Sequence, residues 1–416
     1  MLATTVKSTD LKKLKSFILE KAPTCLHKAE GILKYRFVTP TYGIVAGADD
    51  NADISARTAG HYLQMYDWDS CLFSQAENHL GLTNLAKDVV LNFLTLKQAD
   101  GYIPRTVSPH KTWDGADLCK PLLCQSLLKE NLSSGFKTPI APEIIQDLDC
   151  YLSYFDRHRR HSSGLYHWRN MLESGIDDNL ALIYPLDASN DENGDFNGYP
   201  DGKLIAVDIC SWLVAEFTAF SDLASKSDNL ELAKKYTQKA QALSELIENM
   251  LWNETLSLYC NLDPESSKQV QMRAFTGLMP VFLGFAKPER AHKVIEQCVL
   301  NTNHFLRPAG LASVAASEYL YNQAKRGLYG RAEVSNWQGP VWVIPNVLAV
   351  RGLLKYGYKK EAEEIALRIL NTLAKGLDSH GTMYENYNAE TSAPLWAPNF
   401  MSWNVLSLEL LELVES

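Results

Sequence analysis

The sequence predicts an all-α protein whose helices form a ring, with its long loops gathered at one end. Two observations carry this expectation. Apolar residues recur at helical spacing in about a dozen segments, whereas alternation over strand-length windows is rare. The connections between those segments are of two kinds. Some are short and plain; others (36–68, 101–120, 161–202, 329–342 and 376–400) are long and crowded with Trp, Tyr, Asp, Glu, Gly and Pro.

Taken in order, Asp10 is placed to cap the segment 11–22, which Pro23 stops. Residues Tyr35–Val45 read as strand-like. An apolar helix follows the aromatic and acidic stretch at 62–70. Thr83 is placed to cap a helix over 84–99 that Gly101 ends. Pro142 opens a helix with apolar residues at i, i+3 and i+4. Segments 203–226 and 229–252 read as a long helical pair, and Leu256–Leu262 as a second strand-like piece. Further helices fit 288–299, 340–356, 359–375 and 400–414. No repeat of 34 or 40 residues is visible, which argues against a superhelical scaffold. No Pro/Gly/Ser-rich linker divides the chain, so residues 1–416 are expected to form one domain.

Hydrophobic residues make up 46% of the chain, enough to build a large core and too many for a disordered one. The net charge is −9 and no basic run is present, so the footprint that a nucleic-acid partner requires is missing. An anionic membrane surface is disfavoured on the same ground. No stretch approaches 18 consecutive apolar residues, and the opening residues MLATTVKSTDLKKLKSF contain no apolar core of signal-peptide length. The eight cysteines are scattered without a Cys-x-x-Cys, and most lie in apolar helical contexts. They read as reduced core residues of a cytoplasmic protein. Asn131-Leu-Ser and Asn253-Glu-Thr then match the glycosylation pattern by chance. A homo-oligomer is left open.

Four segments carry the chemistry. In Tyr62-Leu-Gln-Met-Tyr66-Asp67-Trp68-Asp69-Ser70, rings alternate with carboxylates, which suits a ligand with apolar C–H faces and a rim of hydroxyls. The plainer reading is that Asp69 or Ser70 caps the next helix. In Glu173-Ser-Gly-Ile-Asp177-Asp178-Asn179, Gly175 permits a tight turn beside two acids that could equally form a solvated turn. Ser335-Asn336-Trp337-Gln338-Gly339-Pro340-Val341-Trp342 sets two Trp rings around a helix start. In Gly381-Thr-Met-Tyr384-Glu385-Asn386-Tyr387-Asn388, one Glu lies between two Tyr rings. Cleavage of a glycosidic bond needs two carboxylates on opposite sides of the sugar and rings to hold it. The four segments together supply both.

Other chemistries find less support. The ten His residues include no H-x-x-x-H or H-x-H pair, and His158-Arg-Arg-His161 reads as a solvated face. The acidic loop Asp187–Gly202 fails the calcium pattern, with Ser189 and Pro200 at ligand positions, and reads as a polar loop or a substrate lid. No Gly-x-Gly-x-x-Gly, P-loop or Gly-x-Ser-x-Gly is present. Neither a metal nor a cofactor is expected.

The ordered set YDWDS, ESGIDDN, NWQGPVW and MYENYNAET resembles glycoside hydrolase family 63 and the neighbouring family 37 trehalases, over about residues 60–410. Each motif is modest alone; four in the right order are specific. The resemblance implies an (α/α)6 toroid and hydrolysis with inversion. It implies that Asp177 is the general acid and Glu385 the general base. Tyr62, Tyr66, Trp68 and Asp69 match the wall and hydroxyl contacts of the sugar subsite, and Trp337, Gln338 and Trp342 the second wall. Tyr384 and Trp403 are expected to join them. Two departures bear on the substrate. Asn336 stands where this family often has Tyr, and Cys119-Lys120-Pro121-Leu122 stands in place of a Gln-Pro pattern.

The compact chain resembles the mannosylglycerate and glucosylglycerate hydrolases more than the processing glucosidases of the secretory pathway. The expected substrate is therefore one sugar α-linked to a small anionic aglycone, with Arg105, Lys111 and Lys120 as the cations near it. A neutral glucoside of the glucosylglycerol, trehalose or kojibiose type is the alternative. A sugar epimerase is a rival reading, but would require His in the motifs. A non-catalytic carbohydrate-binding toroid is the rival outside the enzymes.

Overall fold

The computed structural model describes residues 7–47, 61–112, 117–137, 139–176, 180–183, 204–323 and 336–415. Helix is the main element, and two kinds of helix are present. Asp67–Ser74 is buried at every position, and Val207–Lys226 and Val343–Lys355 are buried round most of their circumference. That is the pattern of a helix enclosed by others. Pro142–His158, Leu230–Met250 and Lys359–His380 instead bury one stripe. In Leu230–Met250 the stripe is Ala233, Tyr236, Ala240, Leu243 and Ile247, at spacings of three and four.

The enclosed elements pack in succession. Asp67–Ser74 packs on Leu123–Ser134, which packs on Val207–Lys226, which packs on Met279–Phe282. Met279–Phe282 meets Val343–Lys355, which meets the 3-10 turn Trp403–Leu406, and that turn packs on Asp67–Ser74. The striped helices lie against these: Leu230–Met250 along Val207–Lys226, and Lys359–His380 along Val343–Lys355 and Ser8–Lys21.

The termini partly follow local signals. Pro142 does occupy the first turn of its helix, and Asn229 Oδ1 accepts from the Leu232 amide at 3.4 Å. Asp10 does not cap: its helix, Ser8–Lys21, begins earlier, and the carboxylate sits in the first turn, where the helix dipole favours it. Thr83 does not cap either. The Leu85 and Ala86 amides donate instead to Glu77 at 2.8 and 3.2 Å, and the Lys87 amide to Glu130 at 2.7 Å. Carboxylates from elsewhere replace the local cap. That helix, Leu85–Thr95, ends well before Gly101.

Segment 376–400 is not the loop its composition suggests. Lys359–His380 runs into it and stops at Gly381, whose φ is 70°. A hairpin then pairs Tyr384–Tyr387 with Pro394–Pro398, and Val341–Trp342 adds a third strand on the Tyr384–Tyr387 side. The central strand is covered on both faces, so no alternation marks it in the sequence. The strand-like segments near 35–45 and 256–262 supply two-residue ladders, Phe37–Val38 with Leu26–His27 and Leu258–Tyr259 with Trp252–Asn253. All eight cysteines are free; seven are buried and Cys150 is half-buried. Among the described residues no helix is long and apolar enough to cross a membrane.

Candidate active site

One cleft draws on all five crowded segments. It encloses about 350 Å³ of space, its open mouth included. Segment 36–68 contributes Tyr62, Tyr66 and Trp68, followed by Asp69; segment 101–120 contributes Arg105; segment 161–202 contributes Gly175. Trp337 and Trp342 come from 329–342, Glu385 and Phe400 from 376–400, and Trp403 from the turn after it.

The walls are aromatic. Trp337 and Trp342 stack at 3.7 Å with planes 9° apart, and Phe275 stacks behind Trp337 at 5.3 Å. Trp68 lies 5.8 Å from Trp337 and meets Trp403 edge-on at 5.1 Å. Tyr62 packs edge-on against Tyr66 and Phe400, and Phe400 lies 4.7 Å from Trp403. The turn before Trp342 is built by amides. Asn336 Oδ1 accepts from the Gln338 backbone at 2.8 Å, Asn336 O accepts the Trp342 indole N–H at 3.1 Å, and Asn336 Nδ2 donates to Asn322 at 2.9 Å. This is a physical role for the Asn that departs from the family's Tyr. Trp403 Nε1 is buried and has no acceptor among the described residues.

Glu385 is 4% exposed, and Tyr62 donates its hydroxyl to Glu385 Oε2 at 3.1 Å. Asp69 accepts the Ser402 hydroxyl at 2.6 Å. Burial pushes the Asp69 carboxyl up to about 7, against the Ser402 bond and the Arg105 and Lys120 charges, which favour ionisation. Asp67, two positions earlier, is fully buried and turns the other way. Its Oδ1 accepts from the Trp68 amide at 2.7 Å and lies 3.6 Å from Arg105 Nε. Its Oδ2 accepts from the Lys120 amide at 2.9 Å and from its ammonium at 3.4 Å. Burial, then the Arg105 charge, lowers the Lys120 pKa, and Asp67 opposes both. The ammonium lies 4.7 Å from the Trp68 ring.

Below the cleft, Glu173 anchors the turn at 173–176. It accepts from the Leu118 and Arg169 amides at 2.9 and 2.6 Å, and from Arg159 Nε at 2.9 Å. Gly175 has φ 68°, and a Cβ there would stand 2.7 Å from Lys120 Nζ and 2.9 Å from Arg105 Nη2. The positive φ favours glycine here, and a side chain would push the tips of Lys120 and Arg105 aside.

Tyr62, Tyr66, Trp68, Asp69, Arg105, Trp337, Trp342, Glu385 and Trp403 are thus brought together. Lys120 is not in the lining; it is 1% exposed, behind Trp68 and Gly175. Gln338 is buried in an amide contact with Asn322. Tyr384 and Lys111 are half-buried and outside the described lining. Asp177 and Asp178, and the loop Asp187–Gly202, lie outside the described residues. No His is among the described lining residues. Phe400, Ser402 and Asp67 escaped the sequence reading; only Asp67, inside an acidic and aromatic motif, carried a signal.

The profile of the family described as the mannosylglycerate hydrolase MGH1-like glycoside hydrolase domain matches residues 62–403. The periplasmic trehalase of Escherichia coli K12 is 24% identical over 190 residues, 46% of this chain and 31% of the trehalase. The chain thus spans about a third of the length of the curated relatives it matches. Among solved structures, the family 63 mannosylglycerate hydrolase of Thermus thermophilus, in complex with Tris and D-glycerate, superposes with a TM-score of 0.67 at 16% identity. That match covers 96% of this chain and 99% of the other. Neutral trehalase of Saccharomyces cerevisiae gives 0.60 at 16% identity, covering 85% and 72%.

Proposed function

This chain belongs to the mannosylglycerate hydrolase MGH1-like glycoside hydrolase family, and from that premise we propose that it hydrolyses a single sugar α-linked to a small anionic aglycone, glucosylglycerate or mannosylglycerate, with inversion. The observation that carries the reading is Glu385, buried in a small aromatic cleft, held by the Tyr62 hydroxyl and sharing that cleft with Arg105. The succession of packed helices is what a closed (α/α)6 ring requires, and we take residues 1–416 as one catalytic domain of that kind.

In this mechanism the sugar lies between the Trp337/Trp342 stack and the Tyr62 side, its hydroxyls donating to Asp69. Glu385 takes a proton from water as that water attacks the anomeric carbon. Asp177 gives its proton to the glycosidic oxygen as the C–O bond breaks. Tyr62, by donating to Oε2, fixes the direction of the Glu385 carboxylate. Arg105 offers a planar fork to the aglycone carboxylate.

The test uses glucosylglycerate, mannosylglycerate, glucosylglycerol, trehalose and kojibiose with the purified chain, following the first-formed anomer by proton NMR. A β-anomer from an α-glycoside is expected; an α-anomer overturns inversion. Glu385→Gln should lower kcat by ~10²–10⁴, the usual contribution of a general base. Arg105→Met should lower kcat/KM for the glycerate glycosides and spare glucosylglycerol. If it lowers neither, the neutral substrate is the better reading.

A further inference from the structure

We propose that the ion pair between Glu390 and Arg307, closed by Tyr321, is a positioning device that aims the Glu385 carboxylate. The proposal rests on the reading of Glu385 as the general base. Glu385 sits on the strand Tyr384–Tyr387, and the register of that strand breaks between Asn386 and Tyr387, one residue beyond it. Such a break bends a strand and re-aims its side chains, so the aim depends on what holds the two ends. One end is held by the strand's own ring: Tyr384 donates its amide to the Tyr387 hydroxyl at 2.9 Å.

The other end is the turn over 388–393, and five hydrogen bonds fasten it to segment 306–323. Arg307 donates from Nε and Nη2 to the two Glu390 oxygens, both at 2.8 Å, and the Tyr321 hydroxyl donates to Oε1 at 2.6 Å. Ala309 donates its amide to Ala389 O at 3.0 Å. Ala389 donates its own amide to Gln323 Oε1 at 2.7 Å. Within the turn, Asn388 Oδ1 accepts from the Glu390 and Thr391 amides, which orients Glu390 outward. The same segment carries Asn322, which bonds Asn336 and Gln338 on either side of Trp337. One frame therefore holds both the strand that carries Glu385 and the segment that carries Trp337.

Glu390 does not act as the base itself. It is not in the described lining, and both its oxygens are taken. Stability alone is a weak reason for the pair, since partly exposed pairs contribute ~0–1 kcal/mol. A bidentate fork instead fixes a direction, and a base displaced by ~1 Å can cost 10²-fold in rate.

The experiment compares Arg307→Met, Arg307→Lys and Glu385→Gln on the full chain with the glycoside that the parent cleaves fastest. Arg307→Met should lower kcat about 10- to 100-fold, leave KM within about threefold, and move the acidic limb of the pH–rate profile. Arg307→Lys keeps the charge, loses the fork, and should show a smaller loss of the same kind; it also serves if the Met variant does not fold. An unchanged kcat in Arg307→Lys and Arg307→Met overturns the proposal, as does a fall in melting temperature alone with an unmoved pH profile. Full activity in Glu385→Gln would overturn the base assignment and the proposal with it. An inactive Glu385→Gln beside a fully active Arg307→Met would overturn the positioning role only.

Discussion

Trp403 shows what one atom in the cleft implies. Its ring is 2% exposed and its indole N–H has no described acceptor, and an unmet buried donor costs ~1–3 kcal/mol. Trp403 lines the cleft, and under the function proposed above a sugar hydroxyl is the acceptor. Trp403→Phe should therefore leave folding stability equal or higher, yet raise the KM for the glycoside by about fivefold or more, the loss of a ~1 kcal/mol hydrogen bond. Urea unfolding and steady-state kinetics on one preparation check both signs; a lower stability with an unchanged KM would show the N–H to be structural. The aromatic and acidic wall was readable because those residue types are rarely crowded into loops without a polar, ring-faced ligand. What each acid does was not. Asp67 and Asp69 are two apart on a helix and so point to different sides, one to Lys120 and Arg105, the other to Ser402. Lys120 has its counter-ion 53 positions away, and no spacing rule reveals that it stands behind the wall and not in it.

Gly376 makes the corresponding point for an element. It lies inside the helix Lys359–His380, where glycine is ~1 kcal/mol worse than alanine. Here a Cβ would come within 2.9 Å of Tyr387 Cε1, and Tyr387 is fully buried with its hydroxyl on the Tyr384 amide. The ring has nowhere to go without moving the strand that carries Glu385. Gly376→Ala should thus reverse the ordinary sign, destabilising by ~1–3 kcal/mol as overpacking does, and should lower kcat as well. A rise in melting temperature with full activity would show that the strand yields freely. Helices with one buried stripe, such as Leu230–Met250, could be drawn from spacing alone. Asp67–Ser74 buries two Asp and two Ser along with its apolar residues, so no stripe marks it, and it begins before Asp69 and Ser70, the caps that the spacing offered. The cap of Leu85–Thr95 was misassigned to Thr83 because Glu77 and Glu130 take its amides from other parts of the chain. The strand Tyr384–Tyr387 was invisible because both its faces are covered.

Across the whole molecule, several carboxyl groups are buried against their own ionisation. Burial pushes Asp69 and Glu216 up to about 7 and Asp208 up to about 6, from ordinary values of 3.8, 4.5 and 3.8. Each binds its proton more tightly folded than unfolded. The stability each contributes is fully present below the unfolded value and is lost as pH rises through the folded one. Glu409 behaves oppositely. Burial pushes it up, but the Arg351 hydrogen bond and charge, together with Lys129, outweigh burial and hold it down to about 2. Its contribution is present above 4.5 and lost as pH falls toward 2. Stability should then peak near pH ~5 and decline to pH ~8. Glu216 is the cleanest contributor, since it lies outside the cleft and accepts from the Cys124 and Gln125 amides at 2.7 and 3.2 Å. A rise from 4.5 to about 7 corresponds to about 3 kcal/mol as an upper limit, at 1.36 kcal/mol per pH unit. Glu216→Gln retains one acceptor oxygen and cannot ionise, so it should lower stability at pH ~5, where the parent carboxyl is protonated, and flatten the fall between pH ~5 and ~8 by up to that amount. Urea unfolding of parent and variant at the two pH values measures this. Equal slopes in the two proteins would mean that the proton taken up on folding is bound elsewhere, by Asp69, Asp208 or Glu77, which burial likewise pushes up to about 7.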